Sequence, residues 1–119
     1  MSAGKTIHNP FARVGLGKEL DYLIENLSML VSAGMPIAGA LESIAEEVAS
    51  RRMKRVITAM RTDIEGGSAL WMALEKSGLF REHVISLVRI GEESGRLVEN
   101  LKVVSIEEEK DRVFRSKLR

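Results

Sequence analysis

The stretch Arg89-Ile90-Gly91-Glu92-Glu93-Ser94-Gly95-Arg96-Leu97 joins two segments in which apolar residues recur at helical spacing. Glycine inside a helix costs about 1 kcal/mol relative to alanine, so both glycines need a reason to be there. Gly91 predicts either a bend or the close approach of another helix. Gly95 predicts the end of a helix at a residue with positive φ, with the next helix beginning at Arg96 or Leu97.

Six segments of apolar periodicity surround this stretch. The residues expected to face inward are Leu20, Leu23, Ile24, Leu27, Leu30 and Val31; Ile37, Ala40, Leu41, Ile44 and Val48; Met53, Val56, Ile57, Met60 and Ile64; Leu70, Ala73 and Leu74; Val84, Leu87 and Val88; and Val98, Leu101 and Val104. The sequence therefore predicts an all-α fold, a compact six-helix bundle over residues 18–119. Residues 1–17 show no period and are expected to form a flexible N-terminal arm.

The corners between these helices carry recognisable end signals. Gly34 follows the last periodic residue of the first helix, and Pro36 suits the first turn of the second. Gly67 ends the third helix, and Ser68 is expected to be the N-cap of the fourth. Gly34 and Gly67 are separated by thirty-three residues. Helical repeats have such periods, which leaves a helical-repeat protein–protein adaptor open as an alternative function.

The sixth segment loses its apolar pattern after Ile106. The run Glu107–Arg112 is almost wholly charged, so a helix through it is expected to project into solvent. Pairs at i,i+4, such as Glu108 with Arg112, are expected to support it.

Composition limits the classes of function. The chain of 119 residues suits one domain, and the absence of cysteine excludes disulfide scaffolds, thiol nucleophiles and thiolate zinc sites. The net charge of +1 and 4% aromatic residues do not point to nucleic acid. No apolar run reaches the roughly 18 residues of a membrane span, so the chain as given is expected to be soluble.

No pattern of catalytic residues is found. His8 and His83 lack partners at ligand spacing, and Gly66-Gly67-Ser68 lacks the lysine of a phosphate-binding loop. Glu92 and Glu93 are the candidate ligands for a hard cation, but adjacent helical carboxylates point about 100° apart, so one alone would ligate. We therefore predict no catalytic, cofactor or metal site. A small metal-dependent hydrolase using Glu92 or Glu93 is the enzymatic alternative.

Three blocks of the sequence resemble a known family. They are Leu27…Leu30-Val31-Ser32-Ala33-Gly34-Met35-Pro36-Ile37…Ala40-Leu41; Ile64-Glu65-Gly66-Gly67-Ser68-Ala69-Leu70…Ala73-Leu74 with Phe80; and Gly91-Glu92-Glu93-Ser94-Gly95-Arg96-Leu97…Leu101. In this order and spacing the chain resembles the first cytoplasmic domain of the type II secretion system F-protein family, the inner-membrane platform protein shared with type IV pilus machines. Its motif residues fall on Gly34, Pro36, Gly67, Gly91, Glu92, Ser94, Gly95 and Leu97.

The resemblance implies a scaffold without catalysis, on the cytoplasmic face of the bacterial inner membrane. It implies an assembly ATPase and other inner-membrane assembly proteins as partners, and a membrane-embedded full-length chain that forms homo-oligomers. The expected homo-oligomer is a dimer, held only weakly by the isolated domain. The basic C-terminal residues fit a segment that precedes a membrane span.

Four apolar residues lie off the inward stripes and are the candidate interface. They are Met29, Met35, Ile85 and Ile90. Methionine adapts its shape readily and suits contact surfaces. The alternative is that these residues only widen the core stripes.

Overall fold

The computed structural model describes residues 15–118, and this range contains six α-helices and no strand. The helices are α1 (Gly17–Ser32), α2 (Ile37–Glu47), α3 (Arg51–Glu65), α4 (Leu70–Ser77), α5 (Glu82–Ser94) and α6 (Leu97–Lys117). The predicted all-α fold of six helices is confirmed. The predicted arm lies outside the described residues except at its end, where Leu16 is already buried in the core and α1 begins at Gly17.

The helices form a closed ring. Each packs against its neighbours in the chain, and α6 returns to pack against α1. The connections are only two to four residues long, so consecutive helices must fold back on each other. No helix within residues 15–118 is long and apolar enough to cross a membrane.

The predicted stripes supply the core. Leu41 and Leu74, at corresponding places in α2 and α4, are both 0% exposed. Complete burial of a side chain of this size contributes about 1.5–3 kcal/mol to stability. Val98 was expected to face inward, and this prediction is wrong: α6 buries Leu101 and Val104 and leaves Val98 exposed.

Two corners of the bundle share one geometry. Gly34 after α1 has φ of 96°, and Gly67 after α3 has φ of 109°. The backbone N–H of the residue after each glycine donates a hydrogen bond back into the last turn of the preceding helix. The N–H of Met35 does so at 3.0 Å and the N–H of Ser68 at 2.9 Å. The thirty-three-residue offset in the sequence thus corresponds to two similar corners.

The charged half of α6 was predicted to project into solvent. This prediction is wrong, because that half lies against the bundle. Glu108 is buried and accepts a hydrogen bond from Arg81 at 3.0 Å. Arg112 donates to Glu25 at 3.2 Å and to Asp21 at 3.4 Å. Hydrogen bonding to Glu25 raises the pKa of the Arg112 guanidinium above its ordinary value. The partners of Glu108 and Arg112 are therefore on α1 and at the start of α5, not each other.

Candidate functional site

The carboxylate of Glu92 caps the N-terminus of α4. Its two oxygens accept hydrogen bonds from the backbone N–H groups of Leu70 and Trp71, each at 2.7 Å. These groups belong to the first two residues of α4 and have no partner within the helix. A carboxylate at this position also faces the positive end of the helix dipole. The first glutamate of the Gly-Glu-Glu-Ser-Gly stretch therefore ties α5 to α4.

Glu92 takes the role that the sequence assigned to Ser68. The N-cap position of α4 is Ala69, whose side chain has no acceptor, and the prediction of Ser68 as N-cap is wrong. The acceptor comes instead from a residue twenty-two positions after Leu70. Sequence reasoning missed Glu92 as the capping residue, because the residues in and around α4 do not indicate which distant side chain caps the helix. The one available signal is that Ala69, in the N-cap position, cannot cap.

Glu93 points away from this cap, to the surface. It pairs with Arg89 of the preceding turn at 3.0 Å. The guanidinium of Arg89 also lies 4.3 Å from the centroid of the Trp71 ring, a cation–π contact. Among residues 15–118 no group of three or more His, Cys, Asp or Glu side chains could hold a metal ion.

Gly91 lies where the start of α6 packs directly on α5. A Cβ atom on Gly91 would lie 3.0 Å from the Asn100 Cβ and 3.1 Å from both the Arg96 carbonyl oxygen and the Leu97 Cα. Two of these neighbours are backbone atoms, which cannot move aside without shifting α6. The side-chain amide of Asn100 donates to the Leu87 carbonyl at 2.8 Å and so fixes the same contact from the other side.

The residues after Gly91 turn the chain from α5 into α6. The Ser94 hydroxyl donates to the Ile90 carbonyl at 2.7 Å, within α5. Gly95 follows with φ of 73°, in the left-handed region. The Arg96 N–H then donates back to the Gly91 carbonyl at 2.7 Å, which closes the helix. Leu97 begins α6 and packs, half-buried, against the core.

A groove separates the α1–α2 corner from the α5–α6 corner, and we refer to it as the corner groove. It has a cavity volume of about 440 Å³ and is lined by Val31, Met35, Pro36, Ile37, Gly91, Glu92, Gly95, Leu97, Val98 and Glu99. Eight of these ten residues belong to the first and third blocks quoted above; Val98 and Glu99 are the other two. The fold thus brings together two blocks that are about sixty residues apart in the sequence.

The four candidate interface residues have different surroundings. Met29 and Ile90 are each 58% exposed, and Met35 is exposed at the corner groove. Ile85 is half-buried and packs against the core. Val98 is exposed at the groove but is not among the predicted interface residues, because the sequence pattern predicts that it faces the core.

Comparisons with known proteins agree on one family. The model of the family described as type II secretion system (T2SS), protein F, matches residues 23–119. The type IV pilus assembly protein PilC of Thermus thermophilus is 32% identical over 102 residues, which are 86% of this chain and 25% of that protein. The type II secretion system protein F of Xanthomonas campestris is 32% identical over 95 residues, 79% of this chain and 24% of that protein. The corresponding protein F of Vibrio cholerae is 31% identical over 101 residues, 84% and 25%. The chain therefore spans about a quarter of the length of these relatives.

Proposed function

Because the chain belongs to the type II secretion system protein F family, we propose that it is a non-catalytic scaffold module of a type II secretion or type IV pilus assembly machine. In this role it links a cytoplasmic assembly ATPase to pilin or pseudopilin assembly at the inner membrane. Its relatives carry the names of secretion and pilus assembly proteins, which supports a component of such machinery. The domain lies on the cytoplasmic face, and other segments of the full-length protein enter the membrane.

The observation that supports the scaffold role is the set of contacts made by the Glu92 carboxylate. A carboxylate that binds substrate or metal needs free lone pairs directed at an open site. Each oxygen of Glu92 instead accepts a hydrogen bond from a backbone N–H at the start of α4, that of Leu70 or that of Trp71, so the carboxylate is held as a helix cap. Glu93 is paired with Arg89 at the surface. Glu92 thus holds α4 and α5 together, and Glu93 forms a surface ion pair within α5, which favours a rigid module that acts through its surfaces.

The corner groove is the surface that we assign to the ATPase. It is open, mostly apolar, and flanked by the exposed side chains of Met35 and Val98. Methionine adapts to the shape of a partner, and an apolar groove can receive an apolar side chain from one. The groove walls are helix ends held by Gly91 and Glu92, so the surface is preformed and little ordering is needed on binding.

Site-directed cross-linking tests this assignment, and the chain is suited to it because it contains no cysteine. Met35→Cys and Val98→Cys place single thiols at the groove. Arg51→Cys is the matched control. Arg51 is exposed and begins α3, and the 11 residues of α2 separate it from the groove. Each variant is mixed with the assembly ATPase of the same organism and a thiol-to-amine cross-linker. We expect cross-linked product from the two groove variants and little from the control; equal yields, or none, would contradict the assignment.

The adaptor alternative has one observation in its favour, the two similar corners at Gly34 and Gly67. Membership of the secretion family accounts for the same corners, because both lie within the matched residues 23–119. We therefore retain the scaffold role as the proposed function.

A further inference from the structure

The outer face of α6 is apolar from Val103 onward. Val103, Ile106, Val113 and Phe114 recur at i, i+3, i+10 and i+11, a spacing that places them on one face of a helix. All four side chains are exposed, and Phe114 is 61% exposed. The opposite face of α6 is the one that packs against α1 and α5. The helix therefore has two apolar faces, and the bundle covers one of them.

Charge is sorted between these two faces along the C-terminal half of α6. Glu108 is buried and pairs with Arg81, which also pairs with Asp111, both at 3.0 Å. Glu107 lies 2.8 Å from His83 of α5. Glu108 and Asp111 are thus held by Arg81 at the start of α5, whereas Glu107 stays 47% exposed beside the outer face, where its charge is engaged by His83.

The lysines of the same half lie on the outer face. Lys110 and Lys117 follow Val103 at i+7 and i+14, so they stand among the apolar residues of the face. Neither lysine forms an ion pair with another residue of the described range. Two glutamates border this face. Glu99 lies N-terminal to it along the helix, and Glu109 lies at the edge of the face, about 100° around the helix axis from Lys110. The face from Val103 onward therefore presents apolar side chains with two unpaired positive charges.

We propose that this outer face of α6, residues 103–118, docks on the surface of an anionic lipid bilayer. An amphipathic helix with apolar groups and lysines on its exposed side lies in the interface, where the apolar side chains enter the acyl boundary and the lysines meet anionic headgroups. Lysine suits this position because its aliphatic stem packs along apolar surface while the ammonium group reaches outward. A helix of another protein would need carboxylates aligned with both lysines, whereas a bilayer supplies negative charge everywhere along the face.

The inference deepens the proposed function, on which it rests, by giving the domain a lipid contact of its own at the membrane. It concerns α6, whereas the assigned partner surface is the corner groove. The two are tested separately: the lipid assay contains no assembly protein, and the cross-linking assay contains no lipid. A negative result in one assay therefore does not change the interpretation of the other assay.

Vesicle flotation with the 119-residue chain tests the proposal. We expect the protein to float with phosphatidylcholine vesicles that contain phosphatidylglycerol and not with phosphatidylcholine alone, and we expect binding to weaken as salt rises. The double variant Lys110→Glu/Lys117→Glu should lower partitioning at least about tenfold, because four units of charge change at the anionic surface. Phe114→Ser should lower it as well, since an exposed apolar group is lost. Circular dichroism of each variant shows that the bundle is intact.

Two control variants make the test specific to α6. Lys18→Glu/Arg51→Glu makes the same change in net charge at exposed positions on α1 and α3. Met72→Ser removes an exposed apolar side chain from α4. Both controls should bind anionic vesicles as the unmodified chain does. Equal loss of binding in the controls, binding to neutral vesicles at the same level, or no binding to anionic vesicles would overturn the proposal. Loss of self-association by Phe114→Ser without any lipid binding would show a protein contact in its place.

Discussion

The Glu92 carboxylate lies 2.7 Å from the backbone nitrogen of Leu70, the first residue of a helix that begins twenty-two positions earlier in the chain. This contact joins the second and third of the sequence blocks quoted above. Together with the contact of Gly91 on the start of α6, it makes the third block the place where α4, α5 and α6 are held together.

The first prediction concerns this cap. Glu92→Gln keeps one acceptor oxygen but loses the second acceptor and the charge at the helix N-terminus. We expect the free energy of unfolding to fall by about 1–2 kcal/mol. Glu93→Gln is the control, because Glu93 forms an exposed pair with Arg89 and such pairs contribute about 0–1 kcal/mol. Urea denaturation of both variants measures the difference. Equal losses would mean that the cap contributes no more than a surface ion pair.

The second prediction concerns the end of α5. Gly95 has φ of 73° with open space around the position of its absent Cβ, so Gly95→Ala adds strain without a clash. We expect a loss of about 1 kcal/mol and a smaller loss for Gly95→Asn, since asparagine tolerates the left-handed region. Gly39→Ala lies inside α2 with ordinary space around it and should instead gain up to about 1 kcal/mol. Thermal unfolding of the three variants distinguishes them; a stabilised Gly95→Ala would place Gly95 in ordinary helix.

Much of this bundle is predictable from the sequence, because helical periodicity and end signals act locally. The stripes around Leu41 and Leu74 and the glycine corners are examples, and they require only neighbouring residues. The errors share the opposite cause. The cap of α4 comes from Glu92, and the partners of Glu108 and Arg112 come from Arg81, Asp21 and Glu25. Each depends on which helices meet, and that information is not contained in the local pattern.

The candidate site shows the same difference between local pattern, which the sequence reveals, and contacts between helices, which it does not. The motif residues were recognisable, but the corner groove was not, since it exists only when the α1–α2 and α5–α6 corners come together. Val98 shows the difficulty in one residue. It follows Leu97 directly, and a periodic pattern alone allows either neighbour to face the core.

The third prediction concerns the core stripes of α2 and α4. Leu41 and Leu74 are both completely buried, so Leu41→Ala and Leu74→Ala should each destabilise the bundle by about 2–5 kcal/mol through lost burial and a residual cavity. Met29→Ala, at a residue that is 58% exposed, should change stability by less than about 0.5 kcal/mol. Chemical denaturation supplies all three values. An unchanged midpoint for either leucine variant would show that its stripe does not form the core.

The fourth prediction concerns the attachment of α6. Arg81 holds two carboxylates of α6, those of Glu108 and Asp111. Arg81→Met should leave the buried Glu108 without this partner, and the C-terminal half of α6 should open more readily than the rest of the bundle. Amide hydrogen exchange by mass spectrometry should show loss of protection in residues 105–117, with the core of α2 and α3 unchanged. Arg96→Met, which removes an exposed pair with Glu99, is the control. Uniform loss of protection throughout the bundle would contradict local attachment.

The fifth prediction is self-association through the exposed candidate interface residues. Met29 and Ile90 each leave more than half of their side chains in solvent, and exposed apolar side chains that form one patch mark a contact surface. Closed symmetry is the usual arrangement of identical subunits, so a dimer is the expected product. Sedimentation velocity over a concentration series should show a weak dimer that Met29→Glu and Ile90→Glu each abolish. Met72→Glu, on the exposed side of α4, should sediment as the unmodified chain does. Ile85 packs against the core, so Ile85→Glu would unfold the bundle and cannot serve in this test. A chain that stays monomeric at every concentration would exclude this domain as the source of oligomerisation.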